Sequence, residues 1–150
     1  LEKFILLLLI LHPDFLKNKI TNEFDRSFML NSGSYQIYFY LAHTQKLEIG
    51  KLGECIFQQG NYVYTGSAMK NLRQRVARHL SFDKKIKWHI DYLLNLDSCK
   101  ITKVEIFYSD EREECVRNLR ILESGKASVP IKRFGSSDCR NCPSHLLLLK

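Results

Sequence analysis

The stretch Asn61–Leu80, NYVYTGSAMKNLRQRVARHL, constrains the fold more than any other, because the hydrophobic period changes inside it. Up to Gly66 the chain reads as a strand, and Tyr62 and Tyr64 share one face because strand side chains alternate with period two. Gly66 and Ser67 then turn the chain, and a glycine there lets another backbone or a phosphate come close. Beyond the turn, Leu72, Val76 and Leu80 recur every four residues on one stripe, which predicts a helix over 70–80. Arg75 and His79 lie one above the other on that helix, at the edge of the apolar stripe near Leu72. Phenol, guanidinium and imidazole therefore converge where strand meets helix. Such a set can hold a phosphodiester, with the arginine countering phosphate charge and a tyrosine or histidine moving a proton. Tyr62 reads as the packing member of the tyrosine pair.

The flanking segments say what this unit packs into. YQIYFYL (Tyr35–Leu41) is dense in aromatic and β-branched residues and predicts a strand, with the domain proper starting at Gly33. KLEIGKLGECIFQQGNYVYTG predicts two more short strands punctuated by Gly50, Gly53 and Gly60. Residues 84–96 predict a second helix with Ile86, Ile90, Leu93 and Leu94 inward. KITKVEIFYS returns to strand, with Ile101, Val104, Ile106 and Tyr108 buried. DEREECVRNLRILES predicts a third helix, opened by an acidic turn that suits its N-terminus and ended by Gly125. The last stretch is loop-rich and closes on an apolar, strand-like tail. The expected fold is α+β: a small mixed or antiparallel sheet of about four strands with three helices packed on it. Residues 1–32 read as an N-terminal extension outside the 33–150 domain. Its apolar run Phe4–Leu11 is too short to span a bilayer as a helix. One lysine precedes that run and no small-residue cleavage site follows it, so no membrane association is expected.

Charge is the next constraint. The net charge is +7, and from Lys70 to Lys87 the basic residues Lys70, Arg73, Arg75, Arg78, Lys84, Lys85 and Lys87 are opposed by Asp83 alone. A concentrated positive face suits a polyanion such as nucleic acid, and the bland alternative is a solvated helix face. Lys70, Arg73 and Arg78 read as sequence-indifferent phosphate contacts. His89 and Asp91 in KWHIDYLL read as a buried, hydrogen-bonded histidine and an ordinary helix carboxylate. Trp88 and Tyr92 read as core rather than as base-stacking platforms.

Five cysteines are an odd number and show no disulfide framework, which fits a reducing cytoplasm. Cys55, Cys99 and Cys115 read as small hydrophobes. Cys139, Cys142 and His145 in CRNCPSH have a spacing compatible with structural zinc, but one Cys pair is a weak signal. A fourth ligand would have to come from afar, for example His79, His89 or Asp138. The competing reading is a turn-rich loop, FGSSD, packed against the rim of the tyrosine site.

Taken together, GSY (Gly33–Tyr35), YTG (Tyr64–Gly66) and the arginine and histidine of the next helix resemble the GIY-YIG nuclease superfamily. KWHIDYLL and FGSSDCRNCPSHL look like a small subfamily, catalogued as a domain of unknown function, that is sometimes fused to endonuclease III-type repair proteins. The likeness covers residues 33–148. It implies a Mg2+- or Mn2+-dependent endonuclease in DNA repair or processing, acting on DNA rather than RNA and associating with a repair enzyme. Tyr35 and Tyr64 match the superfamily's tyrosines, one of which helps activate water. Arg75 matches its arginine and His79 a neighbouring ring residue. The resemblance implies one metal-binding glutamate on the third helix, where Glu113 and Glu114 are both available. The subfamily's Glu directly before a Cys points to Glu114. The motifs depart from the pattern at Ser34 and Thr65, which changes strand packing rather than proton chemistry. One extra residue between Gly66 and the arginine leaves Arg73 as a rival to Arg75. Two other readings stand beside the enzyme: a non-catalytic nucleic-acid-binding module that keeps the fold, and a redox- or zinc-sensing domain built on Cys139 and Cys142.

Overall fold

The computed structural model describes residues 30–150. In chain order the elements are β1 (Gly33–Leu41), β2 (Gln45–Ile49), β3 (Gly53–Phe57), β4 (Gly60–Ala68), α1 (Leu72–Leu80), α2 (His89–Leu94), β5 (Cys99–Tyr108), α3 (Glu114–Glu123), β6 (Ala127–Ser128) and β7 (Leu146–Leu149). Five strands form one antiparallel sheet in the order β5-β1-β4-β7-β6, and β2 and β3 pair as a separate hairpin. The fold is α+β, as the alternation of strand and helix patterns predicts.

Period-two alternation divides the core between the two faces of the sheet. Tyr35, Ile37, Phe39 and Leu41 of β1 join Tyr62 and Tyr64 of β4 on one face, under Leu72, Val76 and Leu80 of α1, Ile90, Leu93 and Leu94 of α2, and Phe57 of the hairpin. Val63, Ala127 and Leu147 face the other way, against Ile121 and Leu122 of α3. Each fully buried aliphatic side chain contributes about 1.5–3 kcal/mol. Tyr62 is 0% exposed, stacks on Phe39 at 5.4 Å and donates its hydroxyl to the Gln58 carbonyl at 2.5 Å, so it is a packing residue.

Three expectations need correction, whereas the expected inward packing of Ile101, Val104, Ile106 and Tyr108 holds. The main sheet has five strands, and KLEIGKLGECIFQQGNYVYTG folds as three strands rather than two, because Gly50–Leu52 forms a 3-10 turn that folds β2 back on β3. The second helix covers only 89–94. The Asp91 carboxylate accepts the backbone N–H groups of Lys87 and Trp88, which fixes the helix start there. Residues 81–88 are consequently irregular, and Ile86 is 44% exposed instead of inward. The third helix begins at Glu114, later than its acidic turn suggested. In β5, Ile101 has the opposite parity to Val104, Ile106 and Tyr108, yet all four pack on the same cluster. A bulge reconciles them: Tyr38 pairs with Lys103 but Phe39 with Ile101, so Thr102 is the extra residue and the strand changes phase.

Residues just before Gly33 are hydrogen-bonded to the elements that follow. The Asn31 carbonyl accepts Leu72 N–H and its Oδ1 accepts Arg73 N–H, satisfying donors at the start of α1. Ser32 is bonded to Ser109 through both its backbone carbonyl and its hydroxyl. The apolar run Phe4–Leu11 lies outside the described residues. Among the described residues, no helix is long and apolar enough to cross a membrane.

Candidate active site

A cleft of about 330 Å³ opens where the end of β4, the start of α1, the segment before α2 and the N-terminus of α3 meet. Tyr35, Tyr64, Arg75 and Glu114 all line it. The β1–β4 register sets Tyr35 opposite Gly66, and a Cβ on Gly66 would lie 2.5 Å from both Cζ and Oη of Tyr35. The glycine of YTG is therefore the space in which the phenol of GSY rests. Gly135, at φ 69°, plays the same part for the other ring: a Cβ there would come within 2.8 Å of Tyr64 Cε2. The two tyrosine rings are 6.4 Å apart.

Arg75 reaches this cleft because its Nη1 donates to the Ser67 carbonyl at 2.6 Å, and its guanidinium stands 5.3 Å from the centre of the Trp88 ring. Its rival Arg73 turns to β5, donating to Tyr108 Oη and the Leu30 carbonyl, each at 3.3 Å. Arg73 and the exposed Lys70 are not among the cleft's lining residues. Glu113 is held by Arg117, 3.1 Å from its Nε, whereas Glu114 faces the cleft. The Glu114 Oε2 atom is buried with no hydrogen-bond partner among the described residues. A buried carboxylate oxygen left unsatisfied beside a polar cleft fits a single hard divalent cation.

His79 does not reach the cleft surface. It is 1% exposed behind Tyr35, with Nε2 2.8 Å from Tyr35 Oη and Nδ1 3.4 Å from Asp91 Oδ1. Asp91 is no ordinary helix carboxylate: it is 0% exposed and accepts Arg78 Nη1 at 3.2 Å and Nη2 at 3.0 Å besides the two backbone N–H groups. Arg78 is thus held in a two-pronged pair and is not among the residues that line the cleft. Burial alone would raise the Asp91 pKa, but the nearby His79 ring and hydrogen bonds from Arg78, Trp88 and Lys87 hold it well below the usual carboxylate range. Burial lowers His79, leaving it neutral near pH 7 against the pull of Asp91. Burial raises Tyr35 well above the ordinary phenol value, and raises Tyr64 to about 12 although Arg75 opposes the shift.

Sequence reasoning missed several wall residues. Lys87, Arg112 and Asp138 also line the cleft. Arg112 was hidden in the acidic DERE turn, and the only signal for it was its position two residues before Glu114. His89 is half-buried on the wall rather than in the core, and its Nδ1 accepts the Gly135 N–H at 3.1 Å.

Beside the cleft, Cys115, Cys139, Cys142 and His145 bring one ligand atom each to within 4.8 Å of one another. This group can hold a metal ion such as zinc. Its fourth member is neither His79, His89 nor Asp138 but Cys115, which is half-buried and in the group rather than a core hydrophobe. Cys55 and Cys99 are buried as expected.

Residues 34–150 match the family model described as "Domain of unknown function DUF123". No curated protein and no solved structure gave a significant match.

Proposed function

The chain belongs to the DUF123 family, and on that footing we propose that it is a divalent-metal-dependent endonuclease of GIY-YIG type that hydrolyses nucleic-acid phosphodiester bonds, DNA before RNA. The observation that carries the reading is the shared cleft: Tyr35, Tyr64, Arg75 and Glu114 come from four separate segments and line one wall-to-wall space. Arg75, Lys87 and Arg112 set three permanent positive charges against Glu114 and Asp138, a balance that attracts a phosphate while leaving a carboxylate for a cation. Glu114 would hold Mg2+ or Mn2+, which when bound steadies negative charge on the leaving oxygen.

The chain's own groups supply the proton path. Tyr35 Oη and His79 Nε2 share a hydrogen bond at 2.8 Å, and in the tautomer protonated at Nδ1 the phenol donates, so its oxygen keeps lone pairs for a proton from an attacking water. Asp91 beside Nδ1 favours the tautomer that leaves Nε2 free to accept, and it stabilises the imidazolium that forms. This makes His79 and Asp91 positioning residues behind Tyr35. Arg75, tied at one nitrogen to Ser67, is preorganised to meet charge building on the phosphate.

A second reading has its own observation. Burial raises both tyrosines, which disfavours their ionised forms and suits a module that grips nucleic acid without cutting it. Incubation of the purified chain with nicked, branched and single-stranded DNA and RNA in Mg2+ or Mn2+ separates the two. The enzyme reading expects cleavage that falls by at least roughly 100-fold in Tyr64→Phe and in Arg75→Ala. Salt-sensitive binding without cleavage across all substrates would establish the module instead.

A further inference from the structure

Beyond the cleft, we propose that Cys115, Cys139, Cys142 and His145 form a closed, tetrahedral Zn2+ site that braces the wall of the cleft. The inference is independent of the nuclease reading and stands on the geometry of four donors. They come from three places: the first turn of α3, the loop that follows Phe134, and the residue before β7. Their ligand atoms lie within 4.8 Å of one another, with Cys115 Sγ 3.0 Å from Cys139 Sγ and 3.7 Å from His145 Nε2. Around one zinc ion with bonds of about 2.0–2.3 Å, tetrahedral donors sit roughly 3.5–3.8 Å apart, so a single ion fits once the widest separation closes by about 1 Å. An iron–sulfur cluster would need wider spacing between the cysteines than these positions allow. Three thiolates with an imidazole also select a borderline-soft ion over magnesium, manganese or calcium.

The surroundings match a closed structural site. Cys142 and His145 are each 6% exposed. The Cys142 backbone N–H points to Cys139 Sγ at 3.3 Å, the outer contact that steadies a thiolate ligand. The segment 134–145 contains no helix or strand, and such a stretch needs something to tie it down. Its backbone contacts lead to the wall of the cleft: Thr65 N–H bonds the His145 carbonyl at 3.0 Å, beside Tyr64, and Asn118 of α3 bonds the Ser144 carbonyl at 2.6 Å. Cys139 and His145 line the cleft, Gly135 lies under Tyr64, and Glu114 immediately precedes Cys115. An ion at this position therefore holds the loop, the α3 terminus and the β4 end in one arrangement, and needs no open coordination position.

The test is elemental analysis of the full chain purified without chelator, with zinc release followed by a colorimetric chelator as a mercurial titrates the thiols. About one zinc per chain is expected, released as the three clustered cysteines react, together with tetrahedral thiolate–cobalt absorption when Co2+ replaces zinc. Cys142→Ser is expected to lower zinc content at least several-fold, and Cys55→Ser to leave it unchanged. Should Cys142→Ser fail to fold, the cobalt spectrum of the unaltered chain decides. A metal-free folded protein, a Cys115–Cys139 disulfide found by mass spectrometry, an octahedral cobalt spectrum, or zinc unaffected by Cys142→Ser would each overturn the proposal.

Discussion

Replacing Gly66 by alanine tests whether the tyrosine of the first motif rests where the structure puts it. Gly66 lies inside β4, and there an alanine would ordinarily stabilise by about 0.5–1 kcal/mol, because glycine loses more backbone freedom on folding. Here the new methyl would sit 2.5 Å from Cζ and Oη of Tyr35. The ring cannot easily give way, since it is 2% exposed and its hydroxyl is bonded to His79 at 2.8 Å. Overpacking of this kind costs about 1–3 kcal/mol, so the sign of the substitution reverses. For a folded unit of this size the loss corresponds to a Tm lower by roughly 3–12 °C. In a Tyr35→Leu background the colliding atoms are gone, and Gly66→Ala is expected to stabilise by about 0.5–1 kcal/mol. The cycle thus predicts a coupling of at least roughly 1.5 kcal/mol, read from urea unfolding followed by circular dichroism. Stabilisation by Gly66→Ala in both backgrounds would refute the seating of Tyr35, and with it the Tyr35–His79–Asp91 path.

Two further outcomes follow from the buried groups. Arg78→Met strips the guanidinium from Asp91, which is 0% exposed, and is expected to cost about 3 kcal/mol, the low end for a broken buried pair because two backbone N–H groups remain. The salt dependence of nucleic-acid binding should hardly change in that variant, and a steep drop there would show that Arg78 contacts phosphate after all. Lowering the pH tests His79 and His89, whose pKa values burial depresses. The unfolded chain then binds more protons, so stability is complete above about pH 6.5 and is lost as pH falls toward the folded values. Asp91, also depressed, extends that loss below about pH 4. A Tm that stays flat between pH 7.5 and 5 would contradict the burial of these imidazoles.

What could be read from the sequence is what local periodicity encodes. The four-residue spacing of Leu72, Val76 and Leu80 located α1, which starts at Leu72 rather than at residue 70, and period two put Tyr62 and Tyr64 on one face. The tyrosine–arginine convergence followed because a strand runs straight into that helix. Three features were not legible, each because a distant contact decides it. Nothing local separates Glu113 from Glu114; Arg117 claims the first and the cleft takes the second. Apolar spacing suggested a helix from 84, but the Asp91 side chain starts it five residues later, which also hid the partnership with Arg78. Cys115 is separated from Cys139 by a helix and a loop, and looks like any small apolar residue until α3 is docked.

The bulge at Thr102 has an effect on how these molecules meet one another. Strand β5 is ten residues long and, among the described residues, forms one border of the sheet, the kind of edge that can template a strand from a neighbouring chain. Lys100, Thr102 and Lys103 are exposed along it, and the extra residue interrupts the flat ladder where such an intruder would dock. The local twist thereby discourages edge-to-edge polymerisation, and concentrated preparations of this cationic protein are expected to stay dispersed rather than seed fibrils.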